Sequence, residues 1–252
     1  MSDQFNQKSL KQKITTSLMS GIQFSALLLL IGNGGNIPWL PPILVFSLIG
    51  LTLLSCLIFP LIWQNLQNKQ QIDSVKIYGI LYSVIRLCIA ISIACFGWKK
   101  IFGLQFIVPE EIAMQPMNKQ NGEWLTWYYF GFSQTFGILI ALIQIIGSTL
   151  ILFRRTLLFG AVVLFAFMLN LTLINIFYDM NLGALLQSVI TTSGIGYLLL
   201  LNYSEIKAFF FKTKSELPTV SISKRSVKNK LRILVILISL AFTIYLKVLT
   251  RT

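Results

Sequence analysis

A chain of 252 residues is long enough for one large domain or two small ones. Hydrophobic residues make up 55% of it and charged residues only 12%, with a mean hydropathy of +0.75, where a soluble domain carries roughly 25% charge. So few charges cannot wet the surface of a globule, which excludes soluble, disordered, disulfide-rich and collagen-like classes and leaves an all-α, polytopic transmembrane helix bundle. The chain contains no histidine, which excludes His-ligated haem, most catalytic zinc centres and His-based acid–base chemistry. Its three cysteines, Cys56, Cys88 and Cys95, form no C-x-x-C pair and are too few for a four-cysteine metal site. They read as small apolar packing residues. The net charge of +13 comes from basic residues that flank apolar runs, which is the pattern of membrane topology and not of nucleic-acid binding.

A span needs ~20 mostly apolar residues. Seven stretches qualify, at 14–31, 41–63, 77–98, 127–153, 157–178, 183–202 and 231–249. The first has a signal-peptide-like n-region in Lys8, Lys11 and Lys13, but the following Gly32-Asn33-Gly34-Gly35-Asn36 lacks an A-x-A-like cleavage site, so it is expected to stay as a span. With the N-terminus inside, fifteen of the 21 Lys and Arg residues lie on the inner side and five on the outer side, namely Lys99, Lys100, Lys119, Lys247 and Arg251. That bias predicts a bacterial inner-membrane protein with a cytoplasmic N-terminus and an external C-terminus. Residues 99–126 form the main outer segment, whose start, Ile101 to Val108, is apolar but too short to cross. Residues 203–230 form a basic inner segment able to hold anionic lipid. The organisation is then an N-terminal hairpin (1–63), a four-helix core (77–202), the basic segment (203–230) and a C-terminal helix (231–252).

Polar groups inside the spans are the functional pointers. Arg86 falls near the middle of the third span, where an unpartnered Arg costs at least ~2.5–3.5 kcal/mol. It therefore faces the bundle interior, either tying helices together or meeting a ligand. The fourth span carries Gln134, Gly137, Ala141, Gln144 and Ser148 on one narrow face. The fifth carries Thr172, Asn175 and Asp179 on one face, with Tyr178 beside it and Asn170 on another. The sixth adds Gln187, Thr191 and Gly194. Together they predict an outward-opening polar pocket with Arg86 at its floor and an Asp179–Lys100 ion pair near its mouth. Candidate ligand-binding residues are Arg86, Lys100, Gln105, Gln144, Asn170, Asn175, Tyr178 and Asp179. No nucleophile–base pair or metal set accompanies them, so catalysis by this chain alone is not expected.

The stretch Phe96-Gly97-Trp98-Lys99-Lys100-Ile101-Phe102-Gly103-Leu104-Gln105-Phe106 resembles the Y-G-x-x-K-x-x-P-L-Q-F stretch of DoxX-like membrane proteins. Arg86 matches an Arg of that family one helix upstream, Ile151-Leu152-Phe153-Arg154-Arg155-Thr156 resembles its L-L-F-R-R-T turn, and Leu169-Asn170 with Asn175-Ile176-Phe177-Tyr178-Asp179 resembles its L-N…N-x-x-Y-D segment. The resemblance covers residues 77–202 and implies a DoxX-like four-helix core. Gln144 stands where the family often has Glu, and Gly103 where it has Pro. The resemblance implies a redox-associated membrane subunit holding a quinone or a lipid head group, with a protein partner in the membrane or periplasm supplying electrons. The competing expectations are a scaffold or assembly factor and a small-solute transporter. Nucleic acid is not an expected partner; the lipid bilayer is.

Overall fold

The structure, a computed structural model, describes residues 9–33, 40–212 and 225–249. Lys8, the stretch Gly34-Gly35-Asn36, Lys214 and Lys224 of the basic segment, and Arg251 lie outside the described residues. Among the described residues the chain is helical and without strands. The helices are α1 (Leu10–Asn33), α2 (Pro42–Asn68), α3 (Ser74–Ile101), α4 (Glu110–Ala113), α5 (Gly122–Gly131), α6 (Gln134–Leu152), α7 (Leu157–Phe177), α8 (Leu182–Leu201), α9 (Tyr203–Lys207) and α10 (Arg225–Leu249), with a 3₁₀ turn at Met117–Lys119 and a π-helical turn at Ala208–Lys212. Six of them (α1, α2, α3, α6, α7 and α8) are long and apolar enough to cross a membrane. This is the architecture of an integral membrane protein.

The chain divides into two units, one running to Lys207 and the other from Ala208. In the second, the apolar part of α10 is Ile233–Val248, shorter than the six spans, and its side chains are exposed throughout. In the first, α3, α6, α7 and α8 pack in that order, and α1 closes the ring between α8 and α3. Helix α2 packs on the outside of α1. Of the six spans, α1 is the most buried (44%) and α2 the least (6%).

The order of burial follows from side-chain polarity. Helix α1 carries Lys13, Thr16, Ser17, Ser20 and Gln23 at helical spacing, all buried. Lipid offers those groups no partners, so they turn inward and bond across helices. Lys13 Nζ donates to Gln64 Oε1 (2.6 Å), Thr16 Oγ1 bonds the Tyr197 hydroxyl (2.7 Å), and Gln23 Nε2 donates to the Ile190 carbonyl (2.7 Å). The N-terminal hairpin is thus stitched to α8 rather than appended to a closed core.

Two helix boundaries differ from the hydropathy reading. The third span extends on both sides of 77–98, because Asp73 caps α3 by accepting from Val75 N and Lys76 N (2.9 and 3.2 Å). The fourth, expected as one helix over 127–153, is broken at Phe132-Ser133: Ser133 Oγ accepts from Phe136 N (3.3 Å) and starts α6 anew. The polar Ser133-Gln134-Thr135 at the break is flanked by apolar residues on both sides, so hydropathy averaged over the length of a span passes over it. Helix α5 instead carries Trp124 and Trp127, and Phe132 and Trp98 stand exposed at the same end of the bundle, an aromatic belt at the membrane boundary.

Between α3, α7 and α8 lies a dry core of Ile85, Ile89, Ile93, Leu164, Ile195 and Leu198. Helices α3 and α6 touch through Gly97, where a Cβ would sit 2.7 Å from Ile145 Cγ1 and 3.0 Å from the Ala141 carbonyl oxygen. The carbonyl belongs to a helix and cannot step aside. Gly97→Ala is therefore expected to destabilise the bundle by about 1–3 kcal/mol, read as a lower midpoint of unfolding in detergent. An unchanged midpoint would show that the α3–α6 contact is not held to that distance.

Candidate functional site

A cavity of about 720 Å³ lies at the end of the bundle where α3 and α7 finish and α6 and α8 begin. Its size suits a small organic molecule or a lipid head group. Lys100, Gln105, Gln144, Asn175, Gln187 and Ser188 supply its polar wall. Phe96, Phe106, Trp127, Phe130, Ile140 and Met168 supply much of its apolar one.

The mouth is shaped by how α3 ends. Gly103 has φ +66°, the left-handed conformation of a helix C′ residue. Its N–H bonds the Lys100 carbonyl (3.2 Å), and Leu104 N–H bonds the Lys99 carbonyl (2.8 Å), a Schellman turn. Proline, with φ near −65°, cannot take this position. The turn folds Gln105 back onto α3, where its Oε1 accepts from Lys100 Nζ (2.9 Å). Lys100 Nζ also donates to the Phe96 carbonyl (3.3 Å) and lies 5.4 Å from the centre of the Phe106 ring. Phe106, itself at φ +68°, stacks on Phe130 (5.3 Å) and meets Trp127 edge-on. The apolar outer stretch therefore neither crosses nor re-enters the membrane as a helix; it turns Gln105 and Phe106 into the cavity and leaves Leu104 and Ile107 exposed.

Deeper in, Asn175 Nδ2 donates to the Ala184 carbonyl (3.1 Å) and to Ser188 Oγ (2.9 Å), which clamps α7 to α8. Gln144 and Gln187 differ. They are 2% and 7% exposed, yet Gln144 Oε1 and Gln187 Nε2 have no hydrogen-bond partner. A buried polar atom left unpaired costs about 1–3 kcal/mol. Both residues line the cavity, while these two atoms are themselves buried behind its wall.

Four of the residues expected in the pocket stand elsewhere. Arg86 does not form its floor. Its Nε and Nη2 donate to the Ile151 carbonyl (3.1 and 2.9 Å), and Nη2 also donates to the Leu152 carbonyl (2.5 Å). Those carbonyls end α6 and have no partner within the helix, and a cation there complements the helix dipole. Arg86 lies in the middle of α3 and reaches the end of α6, where the exposed Arg154 and Arg155 follow at once in the turn. Asn170 is exposed on α7. The Tyr178 side chain is exposed too; its backbone packs on Gly122, whose Cβ would lie 2.8 Å from Tyr178 Cα. Asp179 is exposed, at φ +49°, as the C′ residue that ends α7, with Met180 N–H bonding the Asn175 carbonyl (3.2 Å). Lys100 bonds Gln105 instead of Asp179, so the expected ion pair does not form.

Lys100, Gln105, Gln144 and Asn175 are brought together as expected. Gln187 and the aromatic wall of Phe106, Trp127 and Phe130 join them. Gln187 was visible in the sequence as part of the α8 seam. Nothing in the local pattern shows that the outer segment folds its aromatics inward.

No protein-family model matches the chain. No solved structure matches it either. It is similar to a Bacillus subtilis (strain 168) protein named Uncharacterized protein YwoB, with 29% identity over 101 residues. That match covers 39% of this chain and 63% of the relative, so it spans less than two thirds of the relative's length.

Two outcomes follow from the geometry. Arg86→Ala removes three charge-assisted hydrogen bonds and leaves buried carbonyls unpaired, which is expected to cost about 2–4 kcal/mol in unfolding measurements, with only partial rescue by Lys. Gln144→Met removes an unpaired acceptor at similar volume and is expected to raise stability by about 1 kcal/mol or more. A fall in the unfolding midpoint of Gln144→Met would show that the amide has a protein partner.

Proposed function

We propose that this chain is a membrane-embedded binding protein that holds an amphiphilic small molecule, its polar head among Lys100, Gln144, Asn175 and Gln187 and its apolar part against Phe106, Trp127, Phe130 and Met168. The observation that carries this reading is a cavity of about 720 Å³ whose wall sets Lys100, Gln105, Asn175 and Ser188 against Phe106, Trp127, Phe130 and Met168. A concave, mostly apolar chamber with a few convergent polar groups is the form of a small-molecule site.

The charge bias of the sequence supports an orientation for the cavity. With the N-terminus in the cytoplasm, Arg154, Arg155 and Lys207 lie inside, and the ends of α3 and α7 that frame the cavity lie outside. The cavity then opens toward the outer face of a bacterial inner membrane. The DoxX-like kinship belongs to the same proposal, carried by the matching motifs between residues 77 and 202. A redox-associated subunit would be one form of such a binding protein, and the reading does not depend on it. A transporter would need a path through the bundle, and the buried cluster of Ile85, Ile89, Leu164 and Leu198 fills the space between α3, α7 and α8. An assembly factor would need no buried unpaired amides.

Mass spectrometry of protein purified in mild detergent tests the reading. The expected result is a small amphiphile at near-stoichiometric amount, lost from a Gln144→Met, Gln187→Met double variant and kept by Arg86→Lys. A folded protein that carries no such molecule and binds none from a lipid extract overturns it.

A further inference from the structure

The C-terminal helix α10 takes no part in the cavity. Apolar content alone makes it a seventh crossing, over 231–249. Its length does not. The uncharged stretch between Arg232 and Lys247 is 14 residues, ~21 Å at ~1.5 Å per residue, against a hydrocarbon core of ~30 Å. The six spans are helices of 19 to 28 residues. An apolar stretch as short as that of α10 belongs more often to an interfacial segment than to a crossing one.

Its polar residues also follow a different rule from those of the spans. Arg225, Lys228, Arg232, Ser239, Thr243 and Lys247 recur at spacings of 3, 4, 7, 4 and 4, which sets them on one face, interrupted by Ile236 and Leu246. Leu231, Leu234, Ile238, Phe242, Tyr245 and Leu249 recur at 3, 4, 4, 3 and 4 on the opposite face. In α1 such a polar seam is buried and bonds to other helices. On α10 Ser239 and Thr243 are exposed, and their hydroxyls bond carbonyls of their own helix (2.8 and 2.9 Å). Residues 217–252 contain seven Lys and Arg and no Asp or Glu. A basic polar face opposite a face of Leu, Ile and Phe is the form of a helix that lies in the membrane interface. Exposed Phe209, Phe210 and Phe211, followed by Lys212, open the same unit with a similar pairing of aromatic and basic groups.

We propose that α10 does not cross but lies in the plane of the inner leaflet, bound to anionic lipid. Its apolar face enters the acyl boundary, and its basic stripe meets the lipid phosphates, whose charge it complements. Six crossings from a cytoplasmic N-terminus return the chain to the inner side after α8, so the C-terminus stays in the cytoplasm. Lys247 and Arg251 then join the inner residues. The inner Lys and Arg count rises from fifteen to seventeen and the outer falls from five to three, which sharpens the charge bias. A crossing would instead carry Ser239 and Thr243 into hydrocarbon and two cations to the outer side. The proposal stands apart from the cavity and its ligand.

The course of the chain is tested in the full-length protein by a cleavage site for a sequence-specific protease, inserted after Ser221 in one variant and after Thr252 in another. Both sites are expected to be cut in inside-out membrane vesicles and spared in spheroplasts. A crossing helix separates the two sites, so cutting from opposite sides overturns the proposal. Depth and lipid dependence are read in nanodiscs from a nitrobenzoxadiazole probe on Ile238→Cys or Thr243→Cys, with Cys56, Cys88 and Cys95 replaced by Ala. In phosphatidylcholine containing phosphatidylglycerol, the probe at 238 is expected to be blue-shifted and shielded from acrylamide, and the probe at 243 to be quenched. Equal shielding at both positions, as in a span, overturns the proposal, and so does equal exposure, as in a helix that leaves the membrane or seeks a protein. The contrast is expected to fade in phosphatidylcholine alone, at high salt, and in an Arg225→Gln, Lys228→Gln, Arg232→Gln variant. A contrast indifferent to all three overturns the role of anionic lipid. Should the cysteine-replaced protein fail to fold, the protease sites, which leave the native cysteines in place, still decide between lying and crossing.

Discussion

Inside a bundle that faces lipid, a polar side chain can be satisfied only by another part of the protein. That constraint arranges this molecule. The two least apolar of the six spans, α1 and α8, are also the two most buried. Their polar seams meet each other through Thr16 and Tyr197 and through Gln23 and the Ile190 carbonyl. Gly194 makes the second contact possible, because the Gln23 side chain occupies the space a Cβ would take. The same rule joins α7 to α8 through Thr172 and Thr192 (2.9 Å) and α3 to the end of α6 through Arg86. The apolar α2 has few such groups and stays at the periphery.

Arg86 and Lys100 show how the same charge on one helix acquires opposite roles. They lie about four turns apart on α3. Arg86 finds the open carbonyls of a neighbouring helix end and spends its donors on them. A guanidinium suits that task, since its planar fork reaches two carbonyls together. Lys100 reaches only its own last turn and the loop that follows, and keeps a donor in reserve. The first is used up by the fold, and the second is left available at a cavity wall.

Much of this was legible in the sequence, and the limits are physical. Helical spacing identifies which residues share a face, so the seams containing Gln144, Asn175 and Gln187 could be read directly. Composition and length located the spans. Spacing does not say which neighbour a face meets. Arg86 was seen to need partners within the bundle, but backbone carbonyls exist at every position and leave no mark in a sequence. The helix end it reaches was hidden for a related reason, since counting along α3 does not show that α6 is short and brings its terminal turn up to Arg86. The interior place of α1 followed from Lys13 through Gln23 being polar at helical spacing, a pattern weaker to the eye than the apolar run behind it. The break at Ser133 rests on one hydroxyl capping one N–H, below the resolution of hydropathy.

Backbone strain is not confined to one end, since Gln70 also holds φ +57° in the connection from α2 to α3, but at the cavity it meets unpaired polar atoms. Phe106 holds a left-handed backbone that costs a bulky residue about 1–3 kcal/mol and persists only where its surroundings enforce it. Those surroundings are the Gly103 turn behind it, Phe130 and Trp127 against its ring, and Lys100 over its face. In the wall of the same chamber Gln144 and Gln187 carry buried polar atoms without partners. At the opposite end the corresponding groups are paired, with Arg86 on its carbonyls, Lys13 on Gln64, and Trp63 Nε1 on Ser74 Oγ (2.9 Å). A sequence shaped for stability alone would have closed the cavity with two methionines and relaxed the loop. A strained turn and unpaired amides set around one cavity are departures from local consistency of the kind that mark a surface kept for something other than the protein itself.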